Sequence, residues 1–302
     1  MKIRANNIDI EVEDSAETDP AAREKPVVLL IMGLGMQLIA WPPQFVHALL
    51  DAGYRVVRLD NRDVGLSAHL GHLGKPKMLW AMMQVRLGLP MRAPYSLADM
   101  AADALGVLDA LQIERAHVVG VSMGGMIAQR VAIAATKRVI SLTSIMSSSG
   151  ARGLPSAKRH ILALMLSRPQ NKSIEAQLEH YVRLFKAIGS PAYPTAEAEM
   201  RERILKGIQR SVYPEGTLRQ MLAIATDHTR AEELSRIQSP TLVVHGKADP
   251  LVPYACGEDT ARRIYGAHLV GVDGMGHDLP PIPVAKILDA LLAHLRATDA
   301  RA

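Results

Sequence analysis

The sequence has few features that would restrict it to an oxidising compartment or to a membrane. It contains a single cysteine, Cys256, among 302 residues, so it can form neither an internal disulfide nor a cysteine-rich metal site. Its longest apolar stretch, residues 26–41, is interrupted by Gly33 and Gly35. It therefore falls short of the roughly 18 continuous apolar residues of a membrane-spanning helix. Residues 1–15 are polar and lack the apolar core of a secretory signal. We expect a cytoplasmic protein without stable membrane insertion.

The sequence also lacks any concentration of charge of one sign. The formal net charge is +5 at pH 7, but the excess of basic residues is distributed along the chain and forms no long run. A solvated basic surface is the interpretation that this pattern favours, and we expect no nucleic-acid partner. Hydrophobic residues make up 48% of the chain and charged residues 22%, which is typical of a soluble globular protein.

Short apolar, β-branched runs alternate with longer segments of helical periodicity along most of the chain. A continuously apolar run such as residues 27–32 indicates a strand buried on both faces. Strict alternation of strand and helix predicts right-handed crossovers and a mostly parallel, doubly wound α/β sheet. The predicted strands are 8–13, 27–32, 54–60, 116–121, 139–146, 241–246 and 267–272, and the predicted helices include 45–53, 96–113, 124–135 and 283–297.

Residues 151–235 break this alternation. They show helical periodicity in four successive segments and contain no convincing strand pattern. We interpret them as a helical cap inserted between two strands of the sheet. The α/β core would then consist of residues 1–150 and 236–302.

A second insertion, residues 68–94, is rich in methionine and carries Trp80. Methionine fills irregular gaps in a core, so ordinary packing is one interpretation and an adaptable apolar wall over a ligand site is the other. His69 and His72, in the same segment, are further candidates for contact with a substrate. The residues that we predict to bind substrate are Met36, Trp41, Met82 and Met83.

Ser122 lies in the pattern Gly-x-Ser-x-Gly, formed by residues 120–124, between a predicted strand and a predicted helix. In that context the pattern indicates a sharp turn that projects a nucleophilic hydroxyl from the edge of the sheet. The N–H groups that begin the following helix would face any negative charge that forms there. The pattern also occurs by chance as a tight glycine turn, but its position between strand and helix favours a function.

A serine hydroxyl needs a base to accept its proton and an acid to orient that base. His277 follows the last predicted strand, and Asp249 follows the strand at 241–246. Ser122, Asp249 and His277 thus each lie after the carboxyl end of a strand, where ligand sites of parallel sheets are found. The chain order Ser, Asp, His is the order found in enzymes whose nucleophilic serine lies on a turn between a strand and a helix. Asp227 is the alternative acid, and a structural role is favoured for His245.

The predicted chemistry also requires two N–H donors to stabilise an oxyanion. The backbone N–H of Met123, directly after the serine, is one candidate. The other is the N–H of Leu34, in the glycine-rich loop that follows the strand at 27–32.

With these motifs in place, the chain resembles the α/β-hydrolase fold superfamily over nearly its whole length. The resemblance implies that fold, with an inserted helical cap, and a Ser–Asp–His triad of Ser122, Asp249 and His277. It extends to a bacterial branch of carboxylesterases, lipase-like enzymes and anthracycline methylesterases. The motifs that carry it are MGLG, DNRDVGLS, GVSMGG, HGKADPLVP and GMGHDLP.

The oxyanion loop departs from this resemblance in one respect. Many relatives carry His-Gly in this loop where this chain has Met32-Gly33. The proposed donor is a backbone N–H, so the oxyanion hole can persist, but its supporting contacts are expected to differ. In DNRDVGLS, Asp60, Arg62 and Asp63 are expected to brace loops beside the site.

The sequence therefore predicts a serine esterase that cleaves an apolar ester of small to medium size through an acyl-enzyme, without metal or organic cofactor. A thioesterase, lactonase or amidase would use the same residues. So would a cofactor-free lyase or perhydrolase. A ligand receptor on a hydrolase scaffold is disfavoured, because such proteins often lose a triad member and this chain keeps all three. A small-molecule ester is the expected partner, and a homodimer is left open.

Overall fold

The computed structural model describes residues 1–77, 80, 83, 84, 87, 89 and 91–300. Within this part of the chain the strands form one eight-stranded sheet. Numbered in chain order, they are β1 (Lys2–Ala5), β2 (Ile8–Asp14), β3 (Val27–Ile31), β4 (Arg55–Leu59), β5 (Ala116–Val121), β6 (Val139–Ile145), β7 (Thr241–Gly246) and β8 (His268–Val272).

The sheet has the order β1-β2-β4-β3-β5-β6-β7-β8. The pairs β1–β2 and β2–β4 are antiparallel, and every pair from β4 to β8 is parallel. The mostly parallel α/β sheet predicted from the sequence is thus confirmed. Since the parallel strands point the same way, the loops that follow β3, β5, β7 and β8 emerge at a common edge.

Helices cover both faces of the sheet. In the described residues none is long and apolar enough to cross a lipid bilayer. Numbered in chain order, the α-helices whose bounds lie within the described residues are α1 (Pro43–Asp51), α2 (Leu97–Ala110), α3 (Met123–Ala134), α4 (Arg159–Leu166), α5 (Ile174–Ile188), α6 (Glu197–Arg210), α7 (Pro214–Thr226), α8 (Arg230–Glu233), α9 (Tyr254–Arg263) and α10 (Pro281–Asp299).

The central strands are buried because the two faces of the sheet pack against different helices. On β3, Leu29 and Ile31 belong to the core shared with α2 and α3. Val28 and Leu30, between them in the sequence, belong to the core shared with α1 and α10. Side chains of a strand alternate between faces, so a strand covered on both sides must be apolar throughout. This explains why residues 27–31 show no alternation of polarity.

Helices α4 to α8 all lie between β6 and β7, and no strand occurs in residues 146–240. The division into a core and a cap at residues 151–235 stays a prediction. Helix α8, the last of this segment, contacts the α/β core. Its buried Arg230 donates to the side chain of Gln129 on α3 at 2.8 Å and to the carbonyl of Ser148 at 2.9 Å.

Two elements were not predicted from the sequence. Strand β1 pairs with β2, and the two strands are connected by a turn at Asn6 and Asn7, which have φ values of 45° and 64°. Asparagine tolerates this left-handed backbone, so the Asn-Asn pair is a hairpin signal that the sequence does contain. Helix α9 has a small and largely polar buried face, formed by Cys256, Asp259 and neighbouring residues, and so lacks an apolar stripe.

A half-buried histidine, His294, should make stability depend on pH. Burial, together with a smaller contribution from the nearby His117, lowers the pKa of His294, on α10, to about 4. An imidazole in an unfolded chain titrates near pH 6.5. Between these values the unfolded chain binds a proton that the folded protein excludes. The contribution of His294 to stability is therefore complete above about pH 6.5 and is lost as the pH falls towards 4.

We expect the substitution His294→Gln to weaken this acid sensitivity. The free energy of unfolding, measured by urea denaturation from about pH 7 to pH 4.5, should fall less steeply with pH than in the wild type. The difference in slope should approach one proton taken up on unfolding. The control is His47→Gln, which removes an imidazole from the surface of α1. Equal slopes for His294→Gln and the wild type would contradict the prediction.

Candidate active site

The turn between β5 and α3 places Ser122 in a conformation that few residues adopt. Its backbone has φ 56° and ψ −120°, a strained region that costs on the order of 1–3 kcal/mol. The surrounding structure enforces it. A Cβ atom at Gly120 would overlap the carbonyl of Gly124, and one at Gly124 would overlap the carbonyl of Ile31. Gly120 is therefore required for the turn to fold tightly on itself, and Gly124 is required for it to pack against β3.

Three side chains predicted to act together form a continuous hydrogen-bonded chain at this turn. The Nε2 atom of His277 lies 3.0 Å from Oγ of Ser122, and its Nδ1 atom lies 2.7 Å from Oδ2 of Asp249. A carboxylate can only accept hydrogen bonds, so the ring proton belongs on Nδ1, which leaves Nε2 to accept from the hydroxyl. This arrangement can take a proton from Ser122 and hold the resulting positive charge next to Asp249.

The carboxylate of Asp249 is fixed by contacts on its other oxygen. Oδ1 accepts hydrogen bonds from the N–H groups of Leu251 at 2.9 Å and Val252 at 2.8 Å. His245 donates through Nε2 to the carbonyl of Val252 at 2.8 Å, and burial lowers its pKa. These contacts leave Oδ2 directed at His277. The alternative acid, Asp227, instead accepts from Nε of Arg130 at 2.9 Å and belongs to a cluster of arginine ion pairs.

The loop that carries His277 is held by the end of helix α5. The N–H of His277 donates to the carbonyl of Ile188 at 2.7 Å, and the N–H of Gly276 donates to Oγ of Ser190 at 2.9 Å. The Ser190 hydroxyl in turn donates to the carboxylate of Asp278, whose pKa is raised by burial. Sequence reasoning missed Ser190 and Asp278, although Asp278 adjoins the predicted base.

The two predicted oxyanion donors lie on either side of the nucleophile. Met123 is the first residue of α3, and a Cβ atom on Gly33 would approach the Cβ of Ser122 to 3.2 Å. The loop that carries Leu34 therefore passes directly beside Ser122. Among the described residues, neither Met123 N–H nor Leu34 N–H has a protein acceptor. Both are thus available to a ligand.

The four residues predicted to bind substrate lie in different surroundings. Met36 is half-buried against the core, and Trp41 is only 1% exposed and packs on Phe45 with ring centroids 4.9 Å apart. The side chain of Met83 is 44% exposed. Met82 lies outside the described residues. The structure places Trp41 in the core and Met83 at the surface, and contact of these four residues with substrate stays a prediction.

His69, a further candidate for substrate contact, stacks on the ring of Tyr213 with centroids 4.1 Å apart. Its Nε2 also lies 3.1 Å from the carbonyl of Gly65. His72 lies in the short helical turn at residues 71–73 and is exposed. The contacts of His69 connect the loop after β4 to the helical segment. Neither of these two contacts is with the Ser122 turn.

The acidic and basic residues of the DNRDVGLS motif connect loops through buried ion pairs. Asp63 receives two hydrogen bonds from Arg219 of α7, at 2.8 and 2.9 Å, and both side chains are fully buried. Burial raises the pKa of Asp63, but the hydrogen bonds from Arg219, the N–H of Leu70 and Tyr95, with the charge of Arg219, together lower the pKa overall. Arg62 forms a second buried pair with Asp103 of α2 at 2.6 Å. In the described part of the chain, no cluster of His, Cys, Asp and Glu could hold a metal ion.

Comparison with known proteins identifies the family of the chain. The model of the alpha/beta hydrolase fold family matches residues 26–280, and the chain belongs to that family. Rhodomycin D methylesterase DnrP of Streptomyces peucetius is 30% identical over 298 residues, which span 92% of this chain and 93% of that protein. The putative carbamate hydrolase RutD of Variovorax paradoxus (strain S110) is 28% identical and covers 83% of this chain and 84% of its own.

Solved structures show the same fold at lower sequence identity. A meta-cleavage product hydrolase from Pseudomonas fluorescens IP01 superposes with a TM-score of 0.74 at 20% identity, covering 98% of this chain and 97% of that one. A thermophilic esterase from Thermogutta terrifontis gives 0.68 at 22% identity, with 99% and 98% covered. The chain is therefore a member of a hydrolase family that has methylesterases among its relatives.

Proposed function

We propose that this protein is a serine hydrolase that cleaves a carboxylic ester through an acyl-enzyme intermediate. The observation that carries the proposal is the chain of hydrogen bonds from Ser122 through His277 to Asp249, with distances of 3.0 and 2.7 Å. A hydroxyl is a weak nucleophile on its own, and a neutral imidazole at hydrogen-bond distance can activate it.

In the first half of the reaction, Oγ of Ser122 attacks the acyl carbon while Nε2 of His277 takes the hydroxyl proton. The N–H groups of Met123 and Leu34 stabilise the negative charge on the acyl oxygen. The tetrahedral intermediate collapses as His277 passes the proton to the leaving alcohol. The ester C–O bond breaks, and the acyl group remains on Ser122.

In the second half, His277 removes a proton from a water molecule, which attacks the acyl-enzyme. The carboxylic acid is released, and the proton returns to Ser122. Throughout the cycle Asp249 holds the imidazole with Nδ1 protonated and stabilises the positive charge that forms on the ring. Each half balances without any co-reactant other than water.

The relatives favour an ester over other acyl compounds. Two rhodomycin D methylesterases, from Streptomyces peucetius and Streptomyces sp. (strain C5), are each 30% identical to this chain over 92% of its length. Transfer of their reaction class to this chain rests on that similarity together with the geometry of Ser122. The same triad could act on a thioester or a lactone, so the reaction class requires a direct test.

The proposal is tested by labelling with a fluorophosphonate probe and by parallel assays on matched methyl ester, thioester and amide substrates. The wild type should be labelled at one serine, and the ester should be hydrolysed fastest. Ser156→Ala, which removes an exposed hydroxyl, is the control and should be labelled as the wild type is. A wild-type protein that neither takes up the probe nor hydrolyses any of the three substrates would refute the proposal.

The acyl preference should depend on chain length. Leu251, two residues after Asp249, packs beside an apolar cluster of the helical segment that includes Ile161, Phe185 and Ile188. If this cluster borders the acyl site, each added methylene should raise kcat/KM up to about fourfold, because burial of one CH₂ contributes about 0.8 kcal/mol. p-Nitrophenyl esters from acetate to octanoate provide the series. Equal kcat/KM values across it would contradict an apolar acyl site.

A further inference from the structure

The loop that carries Leu34 is a tight turn with a defined geometry. The N–H of Met36 donates to the carbonyl of Gly33 at 3.1 Å, which closes a β-turn with Leu34 and Gly35 at its centre. Gly35 has a φ of +65°, whereas Leu34 is not among the residues with positive φ. A positive φ at the second central position defines a type II turn. The orientation of the central peptide group, between Leu34 and Gly35, distinguishes this turn from type I.

A single buried side chain binds that central peptide group. Gln220, on α7, accepts a hydrogen bond from the N–H of Gly35 at 2.9 Å through Oε1, and donates through Nε2 to the carbonyl of Arg62 at 2.9 Å. Its side chain is fully buried. Because the N–H of Gly35 can only donate and the carbonyl of Arg62 can only accept, the orientation of the amide is fixed.

Helix α7 holds Gln220 rigidly. Arg219, the preceding residue, forms the buried bidentate pair with Asp63. One turn earlier, a Cβ atom on Gly216 would overlap the carbonyl of Asp63, so the helix backbone lies directly on the loop after β4. Residues three and four apart share a face of a helix, so Gly216 and Gln220 lie on the side that faces the core. Movement of Gln220 away from Gly35 would require α7 to leave this surface.

The rest of the oxyanion loop is anchored at both ends by the loop after β4. Asn61 donates to the carbonyl of Met32 at 2.9 Å, and Asp60 accepts from the N–H of Leu38 at 2.7 Å. Between these anchors, the contact from Gln220 to Gly35 reaches the centre of the turn. It lies one residue from the N–H of Leu34.

We propose that Gln220 is a positioning residue for the oxyanion hole. Its amide oxygen fixes the peptide group of Gly35 and thereby aims the neighbouring N–H of Leu34 at the acyl oxygen. The inference rests on the proposed function, since it requires that an oxyanion forms beside Ser122. It makes the helical segment between β6 and β7 part of the catalytic apparatus as well as a boundary of the substrate site.

The test compares Gln220→Met and Gln220→Glu. Methionine keeps the length and bulk of the side chain but leaves the N–H of Gly35 without an acceptor. Glutamate keeps an acceptor for that N–H. Its second oxygen donates to the carbonyl of Arg62 when protonated and loses that contact when ionised. We expect kcat to fall about 10- to 100-fold in Gln220→Met, less than the loss of about 10²–10³ for a donor removed outright. KM should stay within about threefold, and kcat in Gln220→Glu should be substantially restored.

A second measurement separates positioning from general destabilisation. Affinity for a trifluoromethyl ketone, whose adduct carries an oxyanion, should fall in Gln220→Met by a factor similar to the loss in kcat. The matched control is Gln129→Met, which removes another fully buried glutamine, on α3, that bonds to Ser144 and Arg230. This variant should lose thermal stability but keep the wild-type kcat and inhibitor affinity.

The outcomes distinguish this inference from the proposed function. If wild-type Ser122 is labelled by the fluorophosphonate but folded Gln220→Met keeps wild-type kcat and inhibitor affinity, the positioning role is refuted and the esterase proposal stands. Equal loss of kcat in the Met and Glu variants would also refute it, because glutamate retains the acceptor for Gly35. If Gln220→Met does not fold, the Glu variant decides alone: a kcat more than tenfold below the wild type refutes the role. A wild type that is neither labelled nor active on the methyl ester, thioester or amide refutes the esterase proposal itself.

Discussion

Replacement of Ser122 by alanine is expected to lower kcat for ester hydrolysis by about 10⁵- to 10⁶-fold. The substitution removes the atom in the turn that would form the acyl-enzyme, while the donors that would stabilise the oxyanion remain. The residual rate should be that of water attacking a bound ester, about 10³–10⁴ above the uncatalysed reaction. Substrate binding should change little, because Oγ contributes few contacts to the ground state.

The measurement is single-turnover and steady-state hydrolysis of a p-nitrophenyl ester, with Ser156→Ala as the control. Alanine has the same Cβ atom as serine, so the backbone strain at φ 56° is the same in the variant as in the wild type. The variant should therefore fold. The fluorophosphonate signal should disappear in Ser122→Ala and persist in the control. A Ser122→Ala protein that keeps more than a hundredth of the wild-type kcat would show that another residue is the nucleophile.

The substitution Asp249→Asn should lower kcat about 10⁴-fold with little change in the fold. The asparagine oxygen can still accept from the N–H groups of Leu251 and Val252, which bind one oxygen of the carboxylate at 2.9 and 2.8 Å. Its NH₂ group would then face Nδ1 of His277. Two donors cannot bond to each other, so the imidazole would move its proton to Nε2 and could no longer accept from Ser122.

Steady-state kinetics of Asp249→Asn, with Asp273→Asn as the control, test this prediction. Asp273 is an exposed carboxylate, paired with Lys247 at 2.9 Å, and its neutralisation should leave kcat unchanged. Loss of activity in Asp249→Asn should persist at every pH, because it is caused by the wrong tautomer of His277 and not by the titration of a group. A decrease of less than tenfold would mean that Asp249 does not orient the base, and Asp227 would then be tested in the same way.

The parallel core was predictable because its signals are local. Residues 27–31 are apolar on both faces of their strand, and the helix at Leu97–Ala110 begins with a Ser96–Asp99 capping box that the sequence displays directly. The placement of Ser122, Asp249 and His277 near one another follows from the same logic. Each follows a strand of one parallel sheet, and such strands end at a common edge.

The contacts that support the site were not predictable, because they join residues far apart in the chain. Gln220 and Gly35 are separated by 185 positions, and Ser190 and Gly276 by 86. Nothing in the periodicity of α7 marks Gln220 as different from any other polar residue of a helix. Its role depends on which face of α7 is buried, and that is decided by the docking of Gly216 and Arg219 on the loop after β4.

Substrate contacts were predicted least specifically. Trp41 is one of the residues predicted to bind substrate, but its indole packs in the core beside Phe45. A large aromatic side chain stabilises a core and a binding pocket through the same burial of apolar area. The sequence alone does not distinguish these two uses, since both favour the same residue type at the same spacing.

The carbonyl groups of Ile188 and Gly189 lie so close to Gly276 that a Cβ atom there would overlap them. Main chain from the end of α5 thus abuts main chain beside the proposed base, with no side chain between them. A hinged lid that swings open as one body would pull that loop away from Ser122 at every turnover. We therefore expect ligands to enter by a route that leaves this junction closed. For protein engineers, grafting a foreign lid onto this scaffold would require the donor to reproduce the backbone path at 188–190.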